Sequence, residues 1–335
     1  MQQTEVFGFR RFMLQFILIF NVYEASGCLV PPRTITVSRS GGQGTSRTIQ
    51  AAIDSVPPNN NRWVRIVIPA GLYRERVGIP ADKPCIYLKG AGSNSTIIDW
   101  NDASQTNTSA TLTVSASDFL AKDVAIKNSY NLLPRPQNEI ISAAKKPAVA
   151  VELVGDRAAF FFCTFQGVQD TVFDENGRHY FHKCTIQGEI DFIFGNGQSL
   201  YQQCVIEYVP GPEGYIGFIT AQGRKTIHQT SGFVFDRCII TGKGQVYLGR
   251  AYGVFSRVII ANSTLNDVVY PIGWSAWDSK GHEERLTYVE EGNRGAGADK
   301  SKRVPWLKHM GPAELNQFLS TKYIDTEGWL SKLPR

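Results

Sequence analysis

The feature that most constrains the fold is a repeat of roughly 20 residues in the middle of the chain. Segment 163–170 (CTFQGVQD) aligns with segment 184–191 (CTIQGEID), 21 residues later, and Cys, Thr, Gln, Gly and Asp recur in register. Related segments begin again at Leu200 and Phe233, and looser copies cover residues 119–128 and 256–265. Each copy is a short run rich in β-branched and aromatic residues that ends in Gly, Asn or Asp, a pattern that predicts a strand followed by a turn.

Short strands at this period, with no amphipathic helices between them, predict an all-β solenoid of the parallel β-helix type, in which each coil stacks on the one before. The main helical signal lies at residues 48–56, whose apolar side chains share one face, and it predicts an amino-terminal cap. Residues 299–335 contain Pro and Trp and are expected to pack along the outside. Since no linker is evident, residues 28–335 are expected to form one domain.

The first residues have the pattern of an export signal. Arg10 and Arg11 precede an apolar run at residues 12–20, and small residues follow at 25–27. This order is typical of a secretory signal peptide, and the run is too short to span a bilayer. The alternative, a buried helix of the domain, is disfavoured by the arginine pair. We therefore predict that residues 1–27 are a signal peptide and that the mature protein is secreted, without a membrane span.

Three N-glycosylation sequons accompany this leader, at Asn94, Asn107 and Asn262, and are expected to be modified in a secreted protein. The net charge of +5 survives removal of the leader, because two Arg and two Glu are lost together. With 42% hydrophobic and 19% charged residues, the chain is neither disordered nor a coiled coil. Histidines and cysteines lack metal-ligand spacing, and the basic residues form no stripe suited to nucleic acid, so no metal, cofactor or nucleic acid is expected.

The repeat also places two carboxylates side by side. Asp170 and Asp191 each lie seven residues after the repeat cysteine, so stacking in register puts them on adjacent coils about 4.8 Å apart. Two carboxylates that close resist joint ionisation, and one is expected to hold a proton near neutral pH. Such a pair supplies an acid together with a nucleophile or base. Solvated turn residues are the alternative, but apolar neighbours at 172–173 and 192–194 argue against it.

The repeat stacks four cysteines in the same way: Cys163, Cys184, Cys204 and Cys238. The coil spacing lies within the Cα range of disulfides, roughly 4.4–6.8 Å, so bridges between neighbouring coils are feasible. Buried free thiols fit the pattern equally well.

Five motifs together resemble those of the plant pectin methylesterases, or pectinesterases. They occur in the order that the family shows, and the resemblance covers nearly the whole mature chain. They are GLYRE at 71–75, QDT at 169–171, GEIDFIFG at 188–195, TAQGR at 220–224 and LGR at 248–250. The resemblance is to the short form of the family, which has no inhibitor-like pro-region. It implies a single-stranded right-handed parallel β-helix, in agreement with the repeat.

The resemblance also implies roles for the carboxylate pair. Asp191 would be the nucleophile that attacks the methyl ester of a galacturonate unit, and Asp170 the general acid and then the base. Arg250 would pair with Asp191 and lower its pKa, while the pKa of Asp170 is raised. The side-chain amide of Gln169 would donate to the oxyanion.

The family pattern further assigns substrate contacts and a disulfide. Trp274 matches a tryptophan of the sugar-binding cleft, Tyr252 stands where a second cleft tryptophan is usual, and Thr106 matches a weaker contact position. Arg250 would also border the substrate. A family disulfide maps onto Cys204–Cys238, whereas the pairing of Cys28, Cys85, Cys163 and Cys184 stays open.

Three departures from the family pattern matter. Pro147 stands where the family has a Gln that helps to form the oxyanion hole, and proline has no side-chain donor. Tyr252 replaces Trp but can still stack on a sugar ring, and Phe173 replaces a common Tyr. Losing one oxyanion donor can lower turnover on the order of 100-fold.

The expected function is therefore hydrolysis of methyl esters in homogalacturonan, the main chain of pectin, by a monomeric enzyme secreted to the cell wall. A proteinaceous pectinesterase inhibitor is a further expected partner. The alternative is a weakened or non-catalytic pectin-binding relative, because of Pro147. A β-helical polygalacturonase or lyase would also suit the solenoid, although no motif favours it.

Overall fold

The computed structural model describes residues 27–132, 145–211 and 216–334. The segment predicted as a signal peptide lies, except for its last residue, outside the described residues. The described part contains 27 strands, numbered β1 to β27 in chain order, and two α-helices, α1 (Ile49–Asp54) and α2 (Pro312–Leu319). Within these ranges, no helix has the length and apolar character needed to cross a membrane.

The strands form three sheets. In spatial order, sheet I consists of β2 (Thr45–Ser46), β1 (Leu29–Val37), β3 (Arg62–Ile68), β6 (Ile86–Gly90), β9 (Phe119–Lys122), β12 (Ala158–Phe161), β15 (Arg178–His182), β18 (Gln198–Gln202), β21 (Gly232–Asp236), β24 (Arg257–Ala261) and β27 (Thr287–Glu291). Sheet II consists of β4 (Gly71–Arg74), β7 (Thr96–Trp100), β10 (Ala125–Asn128), β13 (Thr164–Gln166), β16 (Thr185–Gly188), β19 (Val205–Tyr208), β22 (Ile239–Gly242) and β25 (Thr264–Leu265). Sheet III consists of β5 (Val77–Ile79), β8 (Leu112–Val114), β11 (Val151–Leu153), β14 (Val172–Asp174), β17 (Ile190–Gly195), β20 (Gly217–Gln222), β23 (Val246–Ala251) and β26 (Trp274–Ser275).

From β3 to β26, each coil of the solenoid contributes one strand to every sheet, while β1, β2 and β27 extend sheet I at its two ends. All the strand pairs are parallel; β12, β13 and β14, for example, form one coil, and β15, β16 and β17 the next. Strands β13 and β16 pair Thr164 with Thr185 and Gln166 with Gln187, so the 21-residue repeat is one coil. The fold predicted from the repeat, a parallel β-helix, is confirmed.

Stacked side chains fill the interior because equivalent residues on successive coils point the same way. Phe160, Phe181, Tyr201 and Phe235 form a ladder along the inner face of sheet I, with ring centroids 5.0, 4.4 and 4.6 Å apart. Burying such aromatic area, together with the aliphatic side chains around it, stabilises the solenoid core.

Both predicted ends of the domain are present. Helix α1 begins after Thr48, whose side chain caps Ala51 N–H, and buries Ile49, Ala52 and Ile53 against the first coils. The carboxy-terminal segment packs on the outside, as predicted: Met310, Ile324 and Trp329 cover apolar side chains on the outer face of sheet I.

The disulfide expected from the family resemblance, Cys204–Cys238, is absent. Both cysteines are buried free thiols, as are Cys163 and Cys184. Stacking in register points neighbouring cysteine side chains in one direction, and each sulfur donates to a backbone carbonyl of the preceding coil or of its own: Cys204 to Phe181 and Gln202, both at 3.5 Å. The structure instead joins Cys28 to Cys85, with Cα atoms 5.8 Å apart, and thereby ties the first strand to the second coil.

Candidate active site

The predicted carboxylate pair lies on the outer face of sheet III. Gln169 bridges to Ile190, and Val172 pairs with Ile193 on the next coil, so Asp170 and Asp191 occupy equivalent positions on adjacent coils, as the repeat predicts. The backbone N–H of Asp170 donates to the Ile190 carbonyl at 3.0 Å, which fixes the two coils to each other at this point.

The chain presents both carboxylates through tight turns from sheet II into sheet III. Asp170 and Asp191 have φ of +64° and +48°, a left-handed conformation that Asp tolerates better than most residues. Around Asp191 the register of β17 against β20 shifts, and such a bulge re-aims a side chain. Gly188 is required here because a Cβ at that position would lie 2.2 Å from the Phe192 Cβ.

Arg250 distinguishes the two carboxylates. From β23, two coils further on, its Nε donates to Asp191 Oδ1 at 2.8 Å and its Nη2 to Asp191 Oδ2, a bidentate ion pair. The guanidinium also lies over the ring of Trp277, with its central carbon 3.6 Å from the ring centroid, and near Phe218 at 4.7 Å. Ion pair and ring contacts together hold Arg250 in one orientation against Asp191.

The environment separates the proton affinities of the pair. Burial, followed by the negative charge of Asp191, raises the pKa of Asp170 to about 7, while Arg250 and a hydrogen bond from Thr106 partly oppose that rise. Burial also raises the pKa of Asp191, against the hydrogen bond and charge of Arg250. Arg250 thus lowers the pKa of Asp191 as expected, but desolvation is the larger effect and the net shift is upward. Asp170 is the member of the pair that holds a proton near neutral pH.

A cleft of about 750 Å³ opens over the pair and contains most of the predicted site. Gln169 lines it on the turn that carries Asp170, Thr106 lies beside Asp170, and Tyr252, 65% exposed, forms part of the rim. Phe173 stacks on Phe194 of the next coil, with centroids 4.4 Å apart, and the two rings form an apolar wall. The cleft thus combines aromatic surface with converging polar groups, as saccharide sites require.

Trp274 does not face this cleft, and the prediction that it binds sugar is wrong. It is 1% exposed, stacks on Tyr288 at 4.5 Å and donates its indole N–H to Glu290 at 2.9 Å. Trp277, three residues later in the same GWSAW stretch, lies beside the site instead: it is 39% exposed, contacts Arg250 and lies 5.9 Å from the Tyr252 ring. A strand that buries Trp274 turns into a short 3₁₀ segment that exposes Trp277.

The structure also places Pro147 and the three glycosylation sequons. Pro147 is half-buried, and the N–H of its neighbour Ala148 donates to the Gln169 carbonyl at 3.1 Å, so position 147 lies next to the proposed oxyanion donor. Of the three sequons, all with exposed asparagines, Asn107 lines the cleft, whereas Asn94 and Asn262 lie on turns away from it.

Several cleft residues escaped the sequence reasoning. Those with polar side chains are Glu175, Asn176, Asn196, Lys225 and Gln229. They lie in the turns that follow β14, β17 and β20, at the other end of these strands from Asp170 and Asp191. The Asn-Gly pairs at 176–177 and 196–197 recur 20 residues apart, so the repeat could have found Asn176 and Asn196, whereas no periodic signal marks the other three.

Comparison with known proteins agrees with this geometry. The Pectinesterase family profile matches residues 34–327, which include the cleft residues described above. The chain belongs to the pectinesterase family. It is 45% identical to "Probable pectinesterase 55" of Arabidopsis thaliana over 306 residues, 90% of this chain and 92% of the relative. It is 43% identical to "Probable pectinesterase 29" of the same plant over 94% of this chain and 93% of the relative.

The solved structure of pectin methylesterase from carrot superposes on this chain with a TM-score of 0.81, at 31% identity, over 90% of this chain and 96% of the carrot chain. The family resemblance deduced from the motifs is confirmed, and the pectinesterase described here is a carboxylic ester hydrolase with the β-helix of its relatives.

Proposed function

We propose that this pectinesterase hydrolyses methyl esters of galacturonate units in pectin and releases methanol, with Asp191 as nucleophile and Asp170 as acid and base. The observation that carries the proposal is the unequal pair: two buried carboxylates on adjacent coils, of which only Asp191 receives the bidentate Arg250. Asp191 is ionised and can act as nucleophile, and Asp170 is protonated and can act as general acid. Acyl transfer needs both roles.

In the first half-reaction, an Asp191 oxygen attacks the ester carbonyl carbon, and the carbonyl oxygen takes the negative charge. The Gln169 amide lines the cleft beside Asp170 and is the candidate donor to that oxyanion. Collapse of the tetrahedral species breaks the bond to the methoxy oxygen, which takes the Asp170 proton and leaves as methanol. The acyl group is then joined to Asp191 as an anhydride.

In the second half-reaction, ionised Asp170 removes a proton from water as the water oxygen attacks the acyl carbon. The bond to Asp191 breaks, the galacturonic acid product is released and loses its proton to solvent, and both aspartates return to their starting states. Arg250 stabilises Asp191 as the leaving carboxylate in this step, because its two donors match the two carboxylate oxygens.

The second candidate function, a weakened pectin-binding relative, is favoured by one observation. Pro147 abuts Gln169 through Ala148 and offers no donor at a position where the family has a glutamine. The oxyanion would then rest on Gln169 and on whatever backbone donors the substrate meets. Ester hydrolysis remains the first candidate function because Asp170, Asp191 and Arg250 are all present.

We also propose a substrate class, a location and a protein partner for this enzyme. Methyl-esterified homogalacturonan is the substrate class, since the cleft is open to solvent and lined by the half-buried rings of Phe173 and Phe194 and the exposed ring of Tyr252. Secretion to the cell wall, action as a monomer and recognition by a proteinaceous inhibitor accompany this activity.

The test is methanol release from methyl-esterified pectin by the purified chain and by Asp191→Asn, which keeps the shape of the side chain but removes the nucleophile. We expect activity in the unaltered protein and a loss of at least about 1,000-fold in the variant. Asp82→Asn, at an exposed position on a loop between coils, is the matched control and should retain full activity. Unaltered protein that binds pectin but releases no methanol would favour the second candidate.

A further inference from the structure

The positive charge of the chain is concentrated at one end of the solenoid. Residues 27–80 contain seven Arg, no Lys and only two acidic residues, whereas residues 81–335 contain 26 basic and 26 acidic residues. The whole net charge of +5 therefore belongs to the first coils. The seven residues, called here the arginine end, are Arg33, Arg39, Arg47, Arg62, Arg65, Arg74 and Arg76.

Most of these guanidinium groups reach solvent from two corners of the first coils. Arg33 and Arg62 lie near each other on the paired strands β1 and β3, where Leu29 pairs with Arg62 and Arg33 with Val64. Arg39 and Arg47 follow the ends of the paired strands β1 and β2 at the other corner. All four are exposed.

Neutral groups, not carboxylates, orient several of these side chains. Arg62 Nη1 donates to the Pro31 carbonyl at 3.1 Å, and Arg39 donates to the Leu72 carbonyl. Arg39 also lies over the Tyr73 ring, and Arg65 over the Tyr87 ring, with centroid distances of 5.1 and 5.4 Å. These contacts hold the guanidinium groups in place without cancelling their charge.

The two acidic residues of this region are engaged elsewhere. Glu75 Oε2 accepts the backbone N–H groups of Ile49 and Gln50 at 2.9 and 3.2 Å, at the start of α1. Asp54 Oδ1 accepts the Gln50 side-chain amide at 2.9 Å. An ion pair with Asp99 at 3.2 Å engages Arg74, whose side chain is nonetheless 66% exposed. The field of the arginine end is therefore directed outward.

The arginine end is separate from the catalytic pair. Sheet III runs from β5 in the first coils to β17, which carries Asp191, four strands away. At about 4.8 Å per strand this is a separation of about 20 Å. A ligand at the arginine end leaves the catalytic pair open.

We propose that the arginine end is a second binding surface, for de-esterified stretches of homogalacturonan. Guanidinium groups bind carboxylates through paired donors, and an arginine-rich surface suits a polymer that bears one carboxylate on every unit. The identity of the polymer rests on the proposed function, because each turnover there converts a neutral ester into a carboxylate. The surface would hold the enzyme on polymer that it has already demethylated.

The test measures binding of the full-length mature protein to immobilised, fully de-esterified polygalacturonate, as a function of salt. Arg33→Gln, Arg47→Gln and Arg62→Gln are combined in one variant. Its matched control combines Lys302→Gln, Lys322→Gln and Lys332→Gln, three exposed residues in the carboxy-terminal segment with the same total charge. Both triples are compared in the Asp191→Asn background, so that the outcome does not depend on ester hydrolysis.

We expect the arginine triple to weaken binding at least about tenfold at low ionic strength and to flatten its salt dependence, while the lysine triple changes it less than about twofold. With active enzyme, methanol release from a short esterified oligogalacturonide should be the same for both triples. Equal losses in the two triples would show that net charge alone acts, and unchanged binding in the arginine triple would also overturn the proposal. Binding of the same variants to vesicles of anionic phospholipid is measured as well. If the arginine triple loses binding to the vesicles but not to polygalacturonate, the proposal is overturned.

Discussion

At the scale of single residues, the site depends on one asymmetry between two chemically identical side chains. Asp170 and Asp191 share a repeat position, a left-handed backbone and near-complete burial. Desolvation raises the pKa of both, and only the bidentate contact with Arg250 opposes it strongly at Asp191. The repeat predicts the pair, but not which member attacks, because Arg250 lies outside the 21-residue periodicity and 59 residues after Asp191.

The pH dependence of kcat/KM should report this asymmetry. The productive form has Asp191 ionised and Asp170 protonated, so activity falls as pH rises through the Asp170 pKa of about 7 and falls again as pH drops through the Asp191 pKa. Arg250→Lys keeps the charge but loses the paired donors. It should therefore raise the Asp191 pKa and move the acidic limb to higher pH, with the alkaline limb unchanged.

Methanol release measured across the pH range for Arg250→Lys decides this assignment, with Arg294→Lys, at an exposed position remote from the cleft, as the control. An acidic limb that stays in place would show that Arg250 does not set the charge state of Asp191.

Position 147 tests how far the oxyanion relies on side-chain donors. Pro147→Gln restores a donor beside Gln169, and we expect kcat to rise by about 10- to 100-fold with little change in KM, because the interaction exists only when the oxyanion forms. Lys146→Gln, at the exposed neighbouring position, controls for a change in the adjoining loop. If kcat is unchanged, another donor already serves the oxyanion, and the case for a weakened enzyme is lost.

At the scale of strands and turns, the repeat in the sequence predicts those features of the structure that recur from coil to coil. The repeat gives the coil length, the register of sheet II and the adjacency of Asp170 and Asp191, all of which follow from parallel stacking. It also places Cys204 and Cys238 on neighbouring coils. Register alone does not make a disulfide, since bridging also needs the two Cβ vectors to converge, and here each thiol is satisfied by backbone carbonyls.

The wrong prediction for Trp274 has a similar cause. Trp274 and Trp277 are three residues apart, and composition does not say which one continues a strand. Trp274 ends in the interior because β26 pairs with β23 and brings it beside Tyr288 and Glu290. Trp277 lies in a 3₁₀ segment outside the repeat, and its ring lies against Arg250, a contact that only the folded chain creates.

At the scale of the whole molecule, stability and catalysis occupy different sides of the solenoid. The cleft lies on the outer face of sheet III, while the carboxy-terminal segment covers sheet I. The described segment from Met310 onward buries apolar side chains that the repeat would otherwise leave facing water. Changes in that segment should therefore alter the free energy of unfolding without altering the chemistry of the site.

Trp329 is the clearest position for that experiment. It is 3% exposed, packs in the apolar layer over sheet I and donates its indole N–H to the Ile324 carbonyl at 2.9 Å. Trp329→Ala removes this area and leaves a cavity, so we expect the free energy of unfolding to fall by about 3–5 kcal/mol. Trp100→Ala, at a position where the side chain is already 37% exposed, should lower it by less than about 1 kcal/mol. Thermal and denaturant unfolding measure both losses in free energy. The kcat of the folded Trp329→Ala protein should equal that of the unaltered enzyme. A lower kcat at temperatures below the unfolding transition would show that the outer layer shapes the cleft across the solenoid.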